Sequence, residues 1–252
     1  MSAFRSPSSI DVGLPGARVA FSTRLGGVST SPYDSLNLGI LTADDPSRVR
    51  ENRERLAATL GLGDSAIAMG RQVHGAELAT WAEPPTPDEA GYRQPGETIE
   101  VDGHVTELEG LALLVLTADC LPVALASPGQ VAMLHAGWRG VADGILARGV
   151  EAFGQAPAAV IGPGIGPCCF EVGPEVLAAF ADVPEAADGR MLDLRRVAET
   201  RLLAAGARGV EHVDLCTSCR ADLFFSHRRE GGATGRQGGL VWRTLHGGGR
   251  AG

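Results

Sequence analysis

The chain has 252 residues, of which 44% are hydrophobic, and a formal net charge of −8 at pH 7. This length and composition suffice to bury a sizeable core, whereas the acidic excess argues against nucleic acid or an anionic membrane as a general partner. The first residues lack the apolar stretch of a signal peptide, and no segment approaches the length that spans a bilayer. Five cysteines, an odd number, suit a reducing compartment, so we expect a cytoplasmic protein.

The apolar pattern predicts short strands and helices that do not alternate strictly. Pro46–Leu60 is predicted to be a helix, because Val49, Leu56 and Leu60 recur among many charged residues. This mixture is typical of the α+β class and makes a doubly wound parallel sheet the weaker choice. Further helices are predicted at residues 141–153, 174–180 and 195–205, and strands at residues 18–22, 67–73, 121–126, 131–135, 160–161, 212–214 and 240–242.

Nothing in the sequence requires more than one domain. The Pro-rich segment at residues 83–95 is interpreted as a loop rather than a linker, because the strand signals on either side of it must meet at one site. We therefore expect residues 1–246 to form a single domain. The glycine-rich tail at residues 247–252 is expected to be disordered.

A turn signal, SPGQ at residues 127–130, separates two short apolar runs and predicts a β-hairpin. Antiparallel strands about this turn place residues whose numbers sum to about 256 opposite one another. Cys120 then lies beside His135, so that a thiolate and an imidazole are within reach of one metal ion. The alternative is that Cys120 is an inert, buried hydrophobic residue.

A third ligand is available in the cluster RQVHG at residues 71–75. One cysteine and two histidines, the third ligand being His74, suit a tetrahedral zinc ion whose fourth position stays open, as in a catalytic site. Arg71 is the residue type that clamps a phosphate with two parallel hydrogen bonds. On an extended strand, however, Arg71 and His74 face opposite sides unless the chain bends. A surface histidine and a solvated arginine are the alternatives.

Three other motifs have structural as well as functional interpretations. The segment GPGIGP at residues 162–167 lacks the Gly-Lys-Ser/Thr of a phosphate-binding loop and is interpreted as a structural turn. The basic patch formed by Arg228, Arg229 and Arg236 suits either anion binding or structural salt bridges. Four further cysteines suit a second zinc site, a redox pair or buried structural thiols, and the lack of a thioredoxin-like βαβ context favours the buried thiols. These cysteines are Cys168, Cys169, Cys216 and Cys219.

Six segments carry a resemblance to a known family: RQVHG (71–75), TADCLPV (117–123), LHAGWRG (134–140), GPGIGPCCFEVG (162–173), CTSCR (216–220) and FFSHRREGGATGRQGG (224–239). They resemble the YfiH-like family, also called laccase-domain or polyphenol oxidase-like proteins, from residue 35 almost to residue 242. The resemblance implies that His74, Cys120 and His135 hold zinc, and that Arg71 and Asn37 lie in the substrate pocket. It also implies one layered domain, with helices flanking packed mixed β-sheets.

The activity implied by this resemblance is that of a purine nucleoside phosphorylase, a transferase that uses phosphate to displace the base of adenosine, inosine, guanosine or methylthioadenosine. Zinc and Arg71 would hold the phosphate. Because zinc lowers the pKa of bound water to about 7, we also expect adenosine deaminase (hydrolase) activity, although the deaminase signature is missing. Asp119 and Glu171 are considered as general acid or base without an assignment.

Three alternatives stay open at this point. A copper-dependent polyphenol oxidase is suggested by the older family name, but six histidines hardly suffice for a blue copper and a trinuclear centre, although copper binding to a Cys/His site is plausible. A hydrolase that edits peptidoglycan precursors is the second alternative. The third is a non-catalytic, zinc-stabilised interaction protein, which predicts a closed four-ligand site and no pocket. The oligomeric state is left open.

Overall fold

The computed structural model of the chain describes residues 3–63, 67–85 and 99–244. In chain order its strands are β1 (Ala3–Ser6), β2 (Ser9–Leu14), β3 (Ala17–Ser22), β4 (Ile67–Ala68), β5 (Leu78–Trp81), β6 (Gly103–Thr106), β7 (Ala112–Thr117), β8 (Leu121–Ser127), β9 (Gln130–Ala136), β10 (Ala158–Ile161), β11 (Ala187–Asp188), β12 (Met191–Leu192), β13 (Gly209–His212) and β14 (Gln237–Arg243). Its α-helices are α1 (Pro46–Leu60), α2 (Trp138–Ala142), α3 (Ile145–Glu151), α4 (Pro174–Ala179), α5 (Leu194–Ala204) and α6 (His227–Glu230).

The strands form two six-stranded mixed sheets and a small two-stranded ribbon of β11 and β12. The first sheet has the order β1-β2-β3-β14-β7-β4, and only its β4–β7 pair is parallel. The second sheet has the order β13-β10-β8-β9-β6-β5, with parallel pairs at both edges. Consecutive strands β7 and β8 belong to different sheets, so the chain crosses from one sheet to the other between them.

Three clusters of buried apolar side chains define the layers. Between the sheets, side chains from both inner faces interdigitate, among them Phe21 and Met133. On the outer face of the first sheet, α1 packs through Leu56. The outer face of the second sheet is covered by α2 to α5, which contribute Ile145 and Val197. The fold is therefore a helix–sheet–sheet–helix sandwich, which confirms the predicted α+β class with helices flanking packed mixed sheets.

Helix α1 has the predicted bounds because its end signals are strong. The carboxylate of Asp45 accepts the N–H of Ser47 at 2.8 Å, and Pro46 occupies the first helical turn. Gly61, with a φ of 73°, takes the left-handed conformation that ends the helix.

Several predicted elements need correction. The helix predicted at residues 141–153 is two helices, α2 and α3, because Gly144 adopts a φ of 91° between them. The strand predicted at residues 67–73 ends at Ala68, where the parallel pairing with β7 ends. The strand predicted at residues 212–214 lies at Gly209–His212, where the register with β10 places it.

Two predictions concern residues that are largely outside the described ranges. Of the loop predicted at residues 83–95, only residues 83–85 are described, and the predicted tail at residues 247–252 is not described. Within the described ranges, no helix is long and apolar enough to cross a membrane.

Candidate functional site

The site lies where the chain crosses between the sheets. After β7, residues 118–120 pass from the first sheet to the second and lead directly into β8. The hairpin predicted from the turn at residues 127–130 is confirmed, with Pro122 opposite His135. Cys120, two positions before Pro122, therefore lies beside the end of β9.

The structure brings His74, Cys120 and His135 together. Their possible ligand atoms all lie within 4.8 Å of one another, and the two imidazole ring centroids are 4.9 Å apart. His135 is buried, Cys120 is half-buried and His74 is exposed. His74 has a φ of 63°, which non-glycine residues rarely adopt. Because the chain bends there, Arg71 and His74 line the same cavity despite their spacing.

Asp102, which the sequence analysis missed, holds two of the three predicted ligands. Its fully buried carboxylate accepts the backbone N–H groups of Val73, His74 and Gly75 at 3.0, 2.9 and 2.8 Å. The same carboxylate lies 2.7 Å from Nδ1 of His135. A carboxylate bound to one ring nitrogen fixes the orientation and tautomer of the imidazole, so Nε2 is left for a metal.

Asp102 lies one position before β6, and the sequence of that strand, GHVT, gives no signal for a functional carboxylate. Nothing in that local pattern shows that the side chain meets His135, which is 33 positions away. The contact arises because β6 and β9 are neighbours in the second sheet.

The surroundings favour the charged forms of Cys120 and His135. Burial raises the pKa of the Cys120 thiol, but the imidazoles of His135 and His74 outweigh it and lower that pKa to about 6. Burial lowers the pKa of His135, but Cys120 and Asp102 outweigh it and raise that pKa to about 9. For Asp102, burial raises the pKa, but hydrogen bonds from His135 and backbone N–H groups bring it below its usual value. A thiolate is the form of cysteine that binds metals.

Gly137 lies close to two of the predicted ligands. A Cβ atom at this position would lie 3.1 Å from Sγ of Cys120 and 3.1 Å from Cδ2 of His74. The thiolate and two imidazoles suit zinc or copper. Within the described residues, no fourth cysteine, histidine or carboxylate joins this cluster. The donor set therefore fits a metal ion with one open position.

A cavity of about 730 Å³ borders the three ligands. This volume is typical of small-molecule sites. It is inconsistent with the pocketless interaction protein considered above. The apolar part of the lining includes Leu41, Met69, Leu116, Trp138, Ile165 and Phe170, and the basic part consists of Arg53, Arg71, Arg228 and Arg236.

Arg71 and Arg236 line the cavity in different environments. The Arg71 side chain is 59% exposed and forms an ion pair with Glu100 at 3.1 Å. Arg236 is more enclosed, and its Nη1 donates to the carbonyl oxygens of Thr234 and Gly235 at 2.9 Å each. Burial lowers the pKa of Arg236, and the negative charges of Cys120 and Asp119 oppose that shift. The Arg236 guanidinium thus lies in the field of the ligand thiolate.

Asn37, predicted to lie in the substrate pocket, is fully buried, and the described residues that line the cavity do not include it. Its Nδ2 donates to Oγ1 of Thr42 and Oδ2 of Asp44, each at 2.9 Å. Its Oδ1 accepts the backbone N–H groups of Gly39 at 2.9 Å and Arg236 at 2.8 Å. The structure thus gives Asn37 the role of positioning two residues that line the cavity.

The arginines of the basic patch have different roles. Arg229 is structural, since it donates to the carbonyl oxygen of Phe224 at 2.7 Å and pairs with Glu230 at 2.7 Å. Arg228 lies against the ring of Phe170 on the cavity wall. Arg236, described above, also lines the cavity.

The two carboxylates considered as general acid or base are engaged elsewhere. Asp119 accepts hydrogen bonds from Thr217 Oγ1 at 2.6 Å, from Ser226 Oγ at 3.1 Å and from the backbone N–H of Arg228 at 2.7 Å. Glu171 forms an ion pair with Arg190 at 3.0 Å. Neither carboxylate belongs to the cluster of His74, Cys120 and His135.

The other four cysteines form a second cluster. Cys168 and Cys219 are exposed, and Cys169 and Cys216 are half-buried, so the prediction of buried structural thiols is wrong. Their sulfur atoms all lie within 4.8 Å of one another.

Comparison with known proteins places the chain in one family. The family model described as multi-copper polyphenol oxidoreductase laccase matches residues 18–244. A Pseudomonas aeruginosa protein named purine nucleoside phosphorylase is 40% identical over 240 residues, which cover 89% of this chain and 93% of that protein. The Escherichia coli protein named purine nucleoside phosphorylase YfiH is 36% identical over 240 residues, which cover 90% of this chain and 94% of that protein.

Solved structures agree with this result. YlmD from Geobacillus stearothermophilus superposes with a TM-score of 0.88 at 33% identity, covering 97% of this chain and 99% of that chain. A Bacillus licheniformis hypothetical protein named YfiH gives a TM-score of 0.89 at 30% identity, and the superposition covers 96% of this chain and 99% of that chain. The chain therefore belongs to this laccase-domain family, and the resemblance seen in the sequence is confirmed.

Proposed function

We propose that this laccase-domain protein is a zinc-dependent purine nucleoside phosphorylase that also deaminates adenosine. The observation that carries the proposal is that the ligand set His74, Cys120 and His135 borders a cavity that also holds Arg71 and Arg236. The names of the Pseudomonas aeruginosa and Escherichia coli relatives support the phosphorylase part. The proposed substrates are phosphate with adenosine, inosine, guanosine or methylthioadenosine.

Arg71 and Arg236 bind and orient the phosphate in this proposal. A guanidinium group presents two parallel donors that match phosphate oxygens. Arg236 is partly enclosed by the cavity wall, where a charged hydrogen bond is stronger than in water. In such a displacement the fixed position of the nucleophile and the stabilisation of charge account for most of the rate enhancement.

When bound to His74, Cys120 and His135, zinc supplies a positive charge beside the anion and lowers the pKa of bound water to about 7. Asp102 keeps the His135 ring oriented for that role. The deaminase part of the proposal rests on the same open position. It requires adenosine to be turned so that C6, instead of the ribose C1′ carbon, faces the ligands.

The departing purine needs a proton, and we assign its transfer to His227. Apart from the three metal ligands, the arginines and the engaged Asp119, His227 is the titratable side chain that lines the cavity in the described residues. Histidine is the commonest general acid in enzymes. The base itself would lie against Trp138 and Phe170, whose rings offer an apolar surface for a purine.

The proposal also includes the cellular compartment and the domain organisation of the enzyme. The five cysteines are all unpaired in the structure, as expected in a reducing compartment, so we place the protein in the cytoplasm. We take residues 1–246 as one catalytic domain.

Product analysis tests this function. Purified, zinc-loaded protein is incubated with inosine, with and without phosphate, and the sugar product is identified. We expect hypoxanthine and ribose 1-phosphate with phosphate, and little base release without it. In the same assay adenosine should give adenine and, independently of phosphate, some inosine.

Three outcomes contradict parts of the proposal. Full-rate release of hypoxanthine and free ribose without phosphate would identify a nucleosidase. No inosine from adenosine would remove the deaminase part. Oxidation of a phenol with added copper, together with no reaction of any nucleoside, would instead support the oxidase that the family description names.

A further inference from the structure

The second cysteine cluster is assembled from two loops of the second sheet. Cys168 and Cys169 follow the turn after β10, and Cys216 and Cys219 follow β13. Strands β10 and β13 are parallel neighbours, so the loops leave the same end of the sheet together. An isolated bridge between Gly164 and Cys216 continues this pairing beyond the strand ends.

The dimensions of the cluster fit a tetrahedral zinc ion. Four sulfur atoms at about 2.3 Å from one zinc ion are about 3.8 Å from one another. The Sγ atom of Cys219 lies 3.5 Å from that of Cys168 and 3.5 Å from that of Cys169, and all four sulfur atoms lie within 4.8 Å of one another. A disulfide requires about 2.05 Å, and all four cysteines are unpaired.

The backbone around the cluster is shaped for thiolates. The N–H of Gly166 donates to Sγ of Cys216 at 3.2 Å, and such hydrogen bonds stabilise negative charge on sulfur. A Cβ atom at Gly166 would come within 3.3 Å of Sγ of Cys168 and of Cβ of Cys216. A glycine therefore lets this loop wrap closely around the sulfur atoms.

Positive charge lies close to the cluster. Arg228 donates from Nη1 to the carbonyl oxygen of Cys169 at 3.4 Å, and Arg229 donates to the carbonyl oxygen of Ser218 at 2.9 Å. Four thiolates around one Zn²⁺ leave a net charge of −2, which nearby guanidinium groups stabilise.

From these observations we infer that Cys168, Cys169, Cys216 and Cys219 bind a second zinc ion, in a closed structural site separate from the cavity. Each thiol loses its proton when it binds the metal. Four protein ligands leave no open position, so this ion fixes structure rather than performing chemistry.

The ion would tie together two segments that form the cavity wall. Ile165 and Phe170 flank the first cysteine pair and line the cavity. Thr217, between the second pair, donates its hydroxyl to Asp119, the neighbour of Cys120. The proposed site therefore stabilises this part of the cavity wall without contacting the substrate.

Zinc analysis of matched variants tests this site independently of the proposed activity. We expect two zinc ions per chain in the natural protein and one in Cys120→Ala, which retains the four-cysteine cluster. The double variant Cys216→Ser with Cys219→Ser should lose one zinc ion and unfold at a lower temperature. Ser218→Ala, which changes the residue beside Cys219, serves as the control and should keep two.

Two further measurements do not require the double variant to fold. Cobalt is loaded into the Cys120→Ala protein, where the strong visible absorption of tetrahedral cobalt thiolate should be seen. Thiol titration of the unfolded natural protein, purified without reductant, should find all five thiols. No zinc or cobalt in Cys120→Ala, or two thiols too few in the titration, would overturn the inference and indicate an adventitious thiol cluster or a redox pair.

Discussion

The two clusters of metal-ligating side chains in this molecule are built in opposite ways. The first joins one thiol and two imidazoles at the crossing between the sheets, where Asp102 supports them and a cavity borders them. The second joins four thiols on adjacent loops, supported by a backbone N–H group. Under the two proposals above, the number of ligands and their surroundings separate a site for chemistry from a site for stability.

Removing one thiol from each cluster tests this contrast most strongly. Cys120→Ala should lower kcat/KM for inosine phosphorolysis by about a thousandfold or more, because charge stabilisation at the reacting centre is lost. Cys219→Ala should lower it by about tenfold at most, since that cluster acts only through the cavity wall. Steady-state kinetics and circular dichroism on both folded variants measure the difference. Equal losses of activity would remove the functional distinction.

A buried histidine on β6, the strand that follows Asp102, should make the fold sensitive to acid. His104, on β6, is fully buried, and its Nδ1 accepts from Nε1 of Trp81 at 3.2 Å. Burial lowers the pKa of His104 to about 4, and the charge of Asp102 opposes this shift. Because the unfolded chain binds this proton near pH 6.5, the free energy of unfolding falls as the pH drops from about 6.5 to 4, by up to about 3 kcal/mol.

His104→Gln removes this titration and keeps an acceptor for Trp81. Urea unfolding of the natural protein and the variant at several pH values between 7 and 4.5 isolates the effect, because all other groups are shared. The natural protein should lose more stability on acidification than the variant. Parallel curves would show that His104 does not carry the acid sensitivity.

The sequence predicted the parts of the molecule that local patterns determine. Helix α1 was predicted because its capping residues, Asp45 and Gly61, lie next to its ends. The hairpin of β8 and β9 was predicted because a short turn sets its register. The hairpin places Cys120 beside His135, as its turn predicted. His74 was proposed as the third ligand from its residue type, and the family resemblance implied the same set of three.

The rest depends on contacts between distant segments. Asp102 meets His135 because β6 and β9 are neighbours, and Asn37 binds the backbone of Arg236 across 199 positions. The convergence of Cys168 with Cys219 depends on the parallel pairing of β10 and β13. No local pattern encodes strand order, so the sequence suggested buried thiols where the structure has a surface cluster.

Substitution of Arg71 tests whether the cavity beside the first cluster binds phosphate. Arg71→Lys keeps the charge but removes the planar pair of donors, so we expect a loss of about 1.5–3 kcal/mol in transition-state stabilisation. The defect should be seen mainly as weaker dependence on phosphate, measured by varying phosphate at saturating inosine. Arg220→Lys, at an exposed ion pair with Asp222, is the matched control. Unchanged phosphate kinetics in Arg71→Lys would show that Arg71 is a surface group.

The smallest expected effect concerns the support of the first cluster. Asp102→Asn retains the shape of the side chain but removes its negative charge. The carboxylate that orients His135 and accepts three backbone N–H groups is thereby lost. Metal affinity at the first cluster should fall by about 10–100-fold, as is typical when a partner of a ligand histidine is lost. Competition with a zinc chelator measures it, and zinc in the four-cysteine cluster should be unaffected. If both clusters release zinc together, the variant has loosened the whole fold, and the independence of the two sites is contradicted.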